Sequence, residues 1–86
     1  MTVFAVLPLN DQESVESAIR QKAPDAFYAL PSGQFLVAFP GTSKELSDML
    51  GISDRETASA IVVRVDSYYG RAPRDVWEWI KSRSEA

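Results

Sequence analysis

The sequence predicts an α+β fold that forms one domain over residues 1–86. Two observations lead to this prediction. Four short apolar segments have the composition of β-strands, and the segments between them place apolar residues at helical spacing. The composition, 45% hydrophobic and 24% charged, is that of a globular protein. A chain of 86 residues also fits the usual domain size of about 50–250 residues.

The first predicted strand is TVFAVLPL, residues 2–9, which is rich in β-branched and apolar residues. A helix is predicted next, because Asn10 and Glu13 have the spacing of a capping box. Pro24 ends this helix, since the residue before a proline is disfavoured in the helical conformation. Between these limits runs an apolar stripe at helical spacing, formed by Val15, Ala18 and Ile19.

A β-hairpin is predicted after the first helix. Two apolar runs, residues 26–30 and 34–39, flank the segment Pro31-Ser32-Gly33. Gly33 can adopt the positive φ angle that a three-residue turn needs. These runs therefore predict the second and third strands.

The second helix is predicted to begin at a capping box of Thr42 and Glu45 and to end at Gly51, a typical residue after a helix C-terminus. Residues 59–65 are the strongest predicted strand. Pro73 has the position of a first helical residue, so a third helix is predicted over PRDVWEWIKS. The fourth strand places three apolar residues on one face: Ile61, Val63 and Val65.

This order, β-α-β-β-α-β, is the split β-α-β topology of ferredoxin-like domains, here with an extra C-terminal helix. Such a domain has a four-stranded antiparallel sheet with two helices on one face. The predicted strands are apolar on both faces, so a second cover is expected on the other face. The C-terminal helix is one candidate, because Val76, Trp77 and Ile80 form a stripe while Trp79 points to a different side. A second copy of the domain is the other, and we predict a homodimer.

Composition excludes several kinds of chemistry. The chain has no cysteine and no histidine, which removes disulfides, cysteine nucleophiles and Ser-His-Asp catalysis. Asp11 and Asp66 follow the first and fourth strands, but the topology does not bring these strand ends together. Capping and turn formation are the favoured interpretation of both side chains. We therefore predict no catalytic residue, no metal site and no cofactor.

Charge and hydropathy restrict the partners. The net charge is −3, with the acidic excess in residues 1–60, which disfavours nucleic acid as a partner. The N-terminal segment lacks the basic region of a signal peptide, and no apolar run approaches the roughly 20 residues of a membrane span. We expect a cytoplasmic protein without a membrane partner.

The segment VDSYYGRAPRDVWEWIKS, residues 65–82, contains the candidate binding residues. Arginine and aromatic side chains are enriched at the centres of protein interfaces. A local alternative remains open, in which Arg74 or Lys81 pairs with Glu78 and the tyrosines cover a sheet edge. The candidates for binding another protein are Tyr68, Tyr69, Arg71, Arg74 and Trp79.

The strand that is followed by DSYYGRAPRDVWEWIK, together with the element order, resembles the C-terminal end of small bacterial ferredoxin-like proteins. These proteins are related to the CRISPR adaptation nuclease-adaptor and virulence-associated ribonuclease families. The resemblance implies a homodimer and, for nuclease members, an aspartate at the end of the first strand with a divalent metal. In this chain Pro8, Leu9 or Asn10 occupies that position and Asp11 follows it.

The sequence thus predicts a small non-catalytic interaction module that self-associates through the apolar sheet face or the C-terminal helix. The alternative is a metal-dependent nuclease, or an inactive relative of that family that binds nucleic acid.

Overall fold

The computed structural model describes residues 1–53, 57–66, 70 and 74–84, and it confirms the predicted order of elements. The strands are one or two residues shorter than predicted, although single backbone hydrogen bonds continue the pairing just beyond their ends. The elements are β1 (Thr2–Pro8), α1 (Gln12–Lys22), β2 (Phe27–Ala29), β3 (Phe35–Phe39), α2 (Ser43–Met49), β4 (Ala60–Arg64) and α3 (Arg74–Ser84).

The four strands form one antiparallel sheet with the order β2-β3-β1-β4. This arrangement is consistent with a ferredoxin-like fold that carries an extra C-terminal helix. The tight turn between β2 and β3 contains Gly33 at φ 95°, as predicted. Pro8 at the end of β1 pairs with Ala60 at the start of β4. Because β1 and β4 run antiparallel, Asp11 and Asp66 follow strand ends at opposite ends of the sheet, which agrees with the expectation that they are not adjacent.

The larger core lies between the sheet and the helices α1 and α2. Phe4 and Val6 point from the central strand β1 into this core, and the Phe4 ring meets the edge of Phe39 at a centroid distance of 6.3 Å. Both helices contribute their apolar stripes. The fully buried side chains of this core are Phe4, Val6, Val15, Ile19, Phe35, Val37, Leu46 and Leu50.

A second, smaller core lies on the opposite face of the sheet, beneath α3. Val3 and Leu36 from the sheet and Val76 and Ile80 from the helix are all buried there. Of the two predicted covers, the C-terminal helix of the same chain therefore occupies part of this face. The partly buried residues that pack against this core are Ala5, Tyr28, Leu30, Val65, Trp77 and Trp79.

The two tryptophans of α3 differ from the prediction. Trp77 was expected in the buried stripe and Trp79 on another side, but both are half-buried and flank the same core. A helix turns by about 100° per residue. The midline of the stripe runs between Val76 and Ile80, and the two tryptophans lie about equally far from it on either side.

The capping box predicted for α2 is confirmed. The Glu45 backbone N–H donates to Thr42 Oγ1 at 3.1 Å, and the Thr42 N–H donates to Glu45 Oε1 at 2.9 Å. These two bonds satisfy donors that have no partner within the helix. Thr42 thus fixes where α2 begins.

The predicted start of α1 is wrong by one residue. Asp11, not Asn10, is the N-cap, and its carboxylate accepts from the Ser14 N–H at 3.3 Å and from the Ser14 hydroxyl at 2.6 Å. Asn10 is engaged elsewhere, since its Oδ1 accepts from the Ser59 N–H at 2.9 Å. A bond across 49 residues of sequence therefore decides which residue caps the helix.

Candidate functional site

Only two of the predicted binding residues lie in the described part of the chain. Tyr68, Tyr69 and Arg71 lie outside the described residues. Arg74 lies at the start of α3, where its Nε is 3.1 Å from Glu78 Oε1. This is the local pairing that the sequence left open as an alternative. Both side chains are largely exposed, so the ion pair adds little stability.

Trp79 is engaged within the chain. Its ring packs at an angle of 56° against the Tyr28 ring, with 6.0 Å between centroids. The Arg83 guanidinium lies 5.6 Å from the Trp79 ring centroid, which is within the range of a cation–π contact. Trp79 therefore helps to hold α3 against β2, and part of its surface is already used there.

Polar contacts also join α3 to the β2 side of the sheet. The Tyr28 hydroxyl donates a hydrogen bond to the Asp75 carboxylate at the start of α3. Near the other end of α3, the Arg83 guanidinium donates to the Asp25 carbonyl oxygen at 3.0 Å. The hydrogen bond to Asp75 raises the pKa of Tyr28, with smaller contributions from desolvation and from the Asp75 charge. These contacts place α3 over β2, β3 and β1.

The hydrogen bond between Tyr28 and Asp75 leads to a prediction about pH. Because the pKa of Tyr28 is raised in the folded protein, the bond is fully present below the ordinary tyrosine pKa of about 10. It is lost as the pH rises through the higher, folded-state value. We expect Asp75→Asn to lower the pKa of Tyr28 in an ultraviolet titration of phenolate absorbance. Comparison with Tyr28→Phe identifies which part of the titration belongs to Tyr28. If Tyr28 titrates at the same pH in Asp75→Asn as in wild type, the hydrogen bond to Asp75 does not raise its pKa.

Asp11 is the acidic residue nearest to the position at which the resemblance implies a nuclease aspartate. It lines a shallow depression of about 250 Å³ between the end of β1 and the β2–β3 turn. Its carboxylate is occupied by the two bonds from Ser14. Among the residues that the structure describes, no three acidic side chains come together as a metal site would require. The geometry of Asp11 is that of a helix cap.

An apolar surface remains open on the α3 side of the sheet, along the edge strand β4. Ile61 is 47% exposed and Val63 is 40% exposed. Leu7 of β1 pairs directly with Ile61, so it lies on the same face, and it is half-buried. None of these three side chains belongs to the core beneath α3. We call Leu7, Ile61 and Val63 the β4 strip.

The outer side of the β4 backbone has no strand partner among the described residues. The Ser59 carbonyl accepts from Leu9 and the Val65 N–H donates to Val3, so odd-numbered residues direct their backbone groups towards β1. Backbone groups alternate in direction along a strand. Ala60, Val62 and Arg64 therefore direct theirs outward, where no strand of the described part of the chain pairs with them.

The sequence contained a signal for this surface. Edge strands usually carry charged side chains that prevent pairing with other chains. In β4, by contrast, AIVVR has a single charged residue, Arg64 at its end. The sequence predicted an apolar face for this strand, but Ile61 and Val63 were not among the predicted binding residues.

No model of a known protein family, no curated protein and no solved structure matches the chain. The helices of the described part are all too short or too polar to cross a lipid bilayer. The β4 strip and the open backbone beside it are the features from which function is inferred.

Proposed function

We propose that the protein is a small interaction module that self-associates through the part of the sheet that α3 leaves open. The observation behind this proposal is the β4 strip, in which two large aliphatic side chains on an edge strand are 47% and 40% exposed. Contiguous apolar surface beside an open strand edge is typical of a protein interface.

The C-terminal helix supports this choice of surface. Its most apolar residues, Val76 and Ile80, are already buried against the sheet of the same chain. The alternative route of association through the apolar stripe of α3 would require the helix to leave its own sheet. The β4 strip needs no such rearrangement, because it is open while α3 is docked.

Charge favours an apolar contact over an electrostatic one. Each copy carries a net charge of −3, so two copies repel each other at long range. Salt screens this repulsion. We therefore expect self-association to strengthen, or to stay unchanged, as the salt concentration rises. A contact that depends on attraction between charged surfaces shows the opposite trend.

Sedimentation over a range of protein concentrations tests the proposal. We expect the wild-type chain of 9.5 kDa to shift from monomer to dimer as its concentration rises. Ile61→Lys should weaken this association by at least about tenfold, because each copy then brings an ammonium group into an apolar contact.

Ser17→Lys is the matched control for this experiment. It makes the same substitution of a neutral residue by lysine at an exposed position on α1, on the opposite face of the sheet. Association equal to that of wild type is expected for this control. A wild-type chain that stays monomeric at every concentration, or an Ile61→Lys variant that associates like wild type, would refute the proposed function.

A further inference from the structure

We propose that two copies join edge to edge through β4, antiparallel to each other, with Val62 on the two-fold axis. The two four-stranded sheets then form one continuous eight-stranded sheet. This inference rests on the proposed function, since it specifies how the self-association occurs. It adds the strand that pairs, the direction of pairing and the register.

The open backbone of β4 supplies the directional part of the contact. Ala60, Val62 and Arg64 direct their N–H and C=O groups away from β1, and an incoming strand can pair with all of them. An exposed edge of this kind binds extended segments through main-chain hydrogen bonds. The single charge within β4 lies at its last residue, so the middle of the strand has no charged side chain that opposes pairing.

The length of β4 and the direction of its backbone groups select the register. β4 has five residues, and Val62 is the central one. If Val62 pairs with Val62 of the second copy, Ala60 pairs with Arg64 of that copy, and every outward backbone group finds a partner. The helices α1 and α2 of both copies then lie on the same side of the sheet, and the two α3 helices lie on the other.

Side chains fit the same register. Ile61 lies opposite Val63 of the second copy, and the two-fold axis repeats this pair, so the side chains of the two β4 strips pack against each other along the contact and cover part of their exposed surface. Pairs of β-branched residues directly opposite each other stabilise antiparallel strands. Arg64 lies opposite Ala60, whose small side chain leaves room for the guanidinium.

Registers shifted by one or two residues either pair a residue of β4 with one beyond the end of the strand or place like charges opposite each other. With Val63 on the axis, Ala60 falls opposite Asp66, which lies beyond the end of β4. With Arg64 on the axis, two guanidinium groups lie opposite each other, and like charges in directly opposed positions destabilise a sheet.

The occupant of this edge is therefore a second copy of the chain, because with Val62 on the axis all three outward-directed residues of β4 pair with residues of the second β4. A contact between two strands of five residues is small. Interfaces below about 1,200 Å² are typical of weak, reversible association. We expect a dimer that dissociates on dilution.

Two double variants with substitutions at the same positions test the register. In I61K/V63E, the new lysine of each copy faces the new glutamate of the other, and association should persist. In I61K/V63K, lysine faces lysine, and the dimer should dissociate at least about tenfold more readily. Net charge alone predicts the reverse order, because I61K/V63K is the less acidic chain. Sedimentation measures association, and circular dichroism verifies that both variants are folded.

The outcomes separate this inference from the proposed function. If wild type associates and Ile61→Lys does not, the proposed function stands. If I61K/V63E is then no more associated than I61K/V63K, the register is wrong. Association of I61K/V63E that salt weakens would support the cross-strand ion pairs.

Discussion

Phe4→Ala is expected to lower the free energy of unfolding by about 3–5 kcal/mol. Phe4 is 1% exposed and lies on the central strand beneath both α1 and α2. Its removal leaves a cavity that the rigid sheet cannot close, and it also removes the edge contact with Phe39 at 6.3 Å. Domains are stabilised by roughly 0.05–0.15 kcal/mol per residue, so this change removes a large share of the total.

Urea denaturation followed by far-ultraviolet circular dichroism measures this loss. Leu9→Ala is a suitable control, because Leu9 is apolar and lies just after the same strand but is 65% exposed. The control should change the free energy of unfolding by no more than about 0.5 kcal/mol. A loss for Phe4→Ala as small as that of the control would show that Phe4 is not part of the core.

Ile80→Ala is expected to cost about 2–5 kcal/mol, and this loss should fall mainly on the docking of α3. Ile80 is 4% exposed and is one of the four buried residues that the described part of the chain contributes to the smaller core. Because these buried side chains are few, the removal of one weakens the attachment of the helix to the sheet. Local unfolding is expected where few apolar contacts hold an element.

Tryptophan fluorescence measures the docking of α3 directly, because both tryptophans of the chain, Trp77 and Trp79, lie on this helix. In Ile80→Ala the fluorescence transition should occur at a lower urea concentration than in wild type. Lys81→Ala, at the exposed neighbouring position, should leave the transition in place. An unchanged transition in Ile80→Ala would contradict the assignment of Ile80 to this core.

Local patterns predicted most of the fold. The capping box of Thr42 and Glu45, the turn at Gly33 and the end of α1 before Pro24 depend on neighbouring residues, and the structure confirms them. The start of α1 depends on a distant contact instead. Asn10 and Asp11 are both good capping residues, and the bond from Ser59 to Asn10 decides between them.

The cover of the second sheet face was predicted only in outline. Apolar residues on both faces of the strands showed that a cover is needed. The stripe of Val76 and Ile80 fits a sheet of the same chain or of another copy equally well, because burial depends on apolar surface and not on its origin.

The candidate site was predicted less well than the fold. The sequence predicted that Ile61 and Val63 are apolar residues on one face of the fourth strand. Their exposure depends on how far α3 extends across the sheet, which is set by contacts such as Tyr28 to Asp75 and the packing of Trp79. The spacing of residues within α3 carries no information about how far the helix extends across the sheet.

The two-sided burial of β1 has a consequence for strand alignment during folding. In a sheet with one polar face, a slip of one residue exposes apolar side chains to water and is strongly disfavoured. In β1 such a slip exchanges one apolar set for the other, so hydrophobicity alone discriminates weakly against it. The volumes of the side chains and specific polar contacts must therefore select the correct alignment. Phe4 fits the larger core, and the 2.9 Å bond between Asn10 and Ser59 fixes β1 against the chain that enters β4. The hydrogen bond of Asn10 therefore forms only when β1 and β4 are correctly aligned.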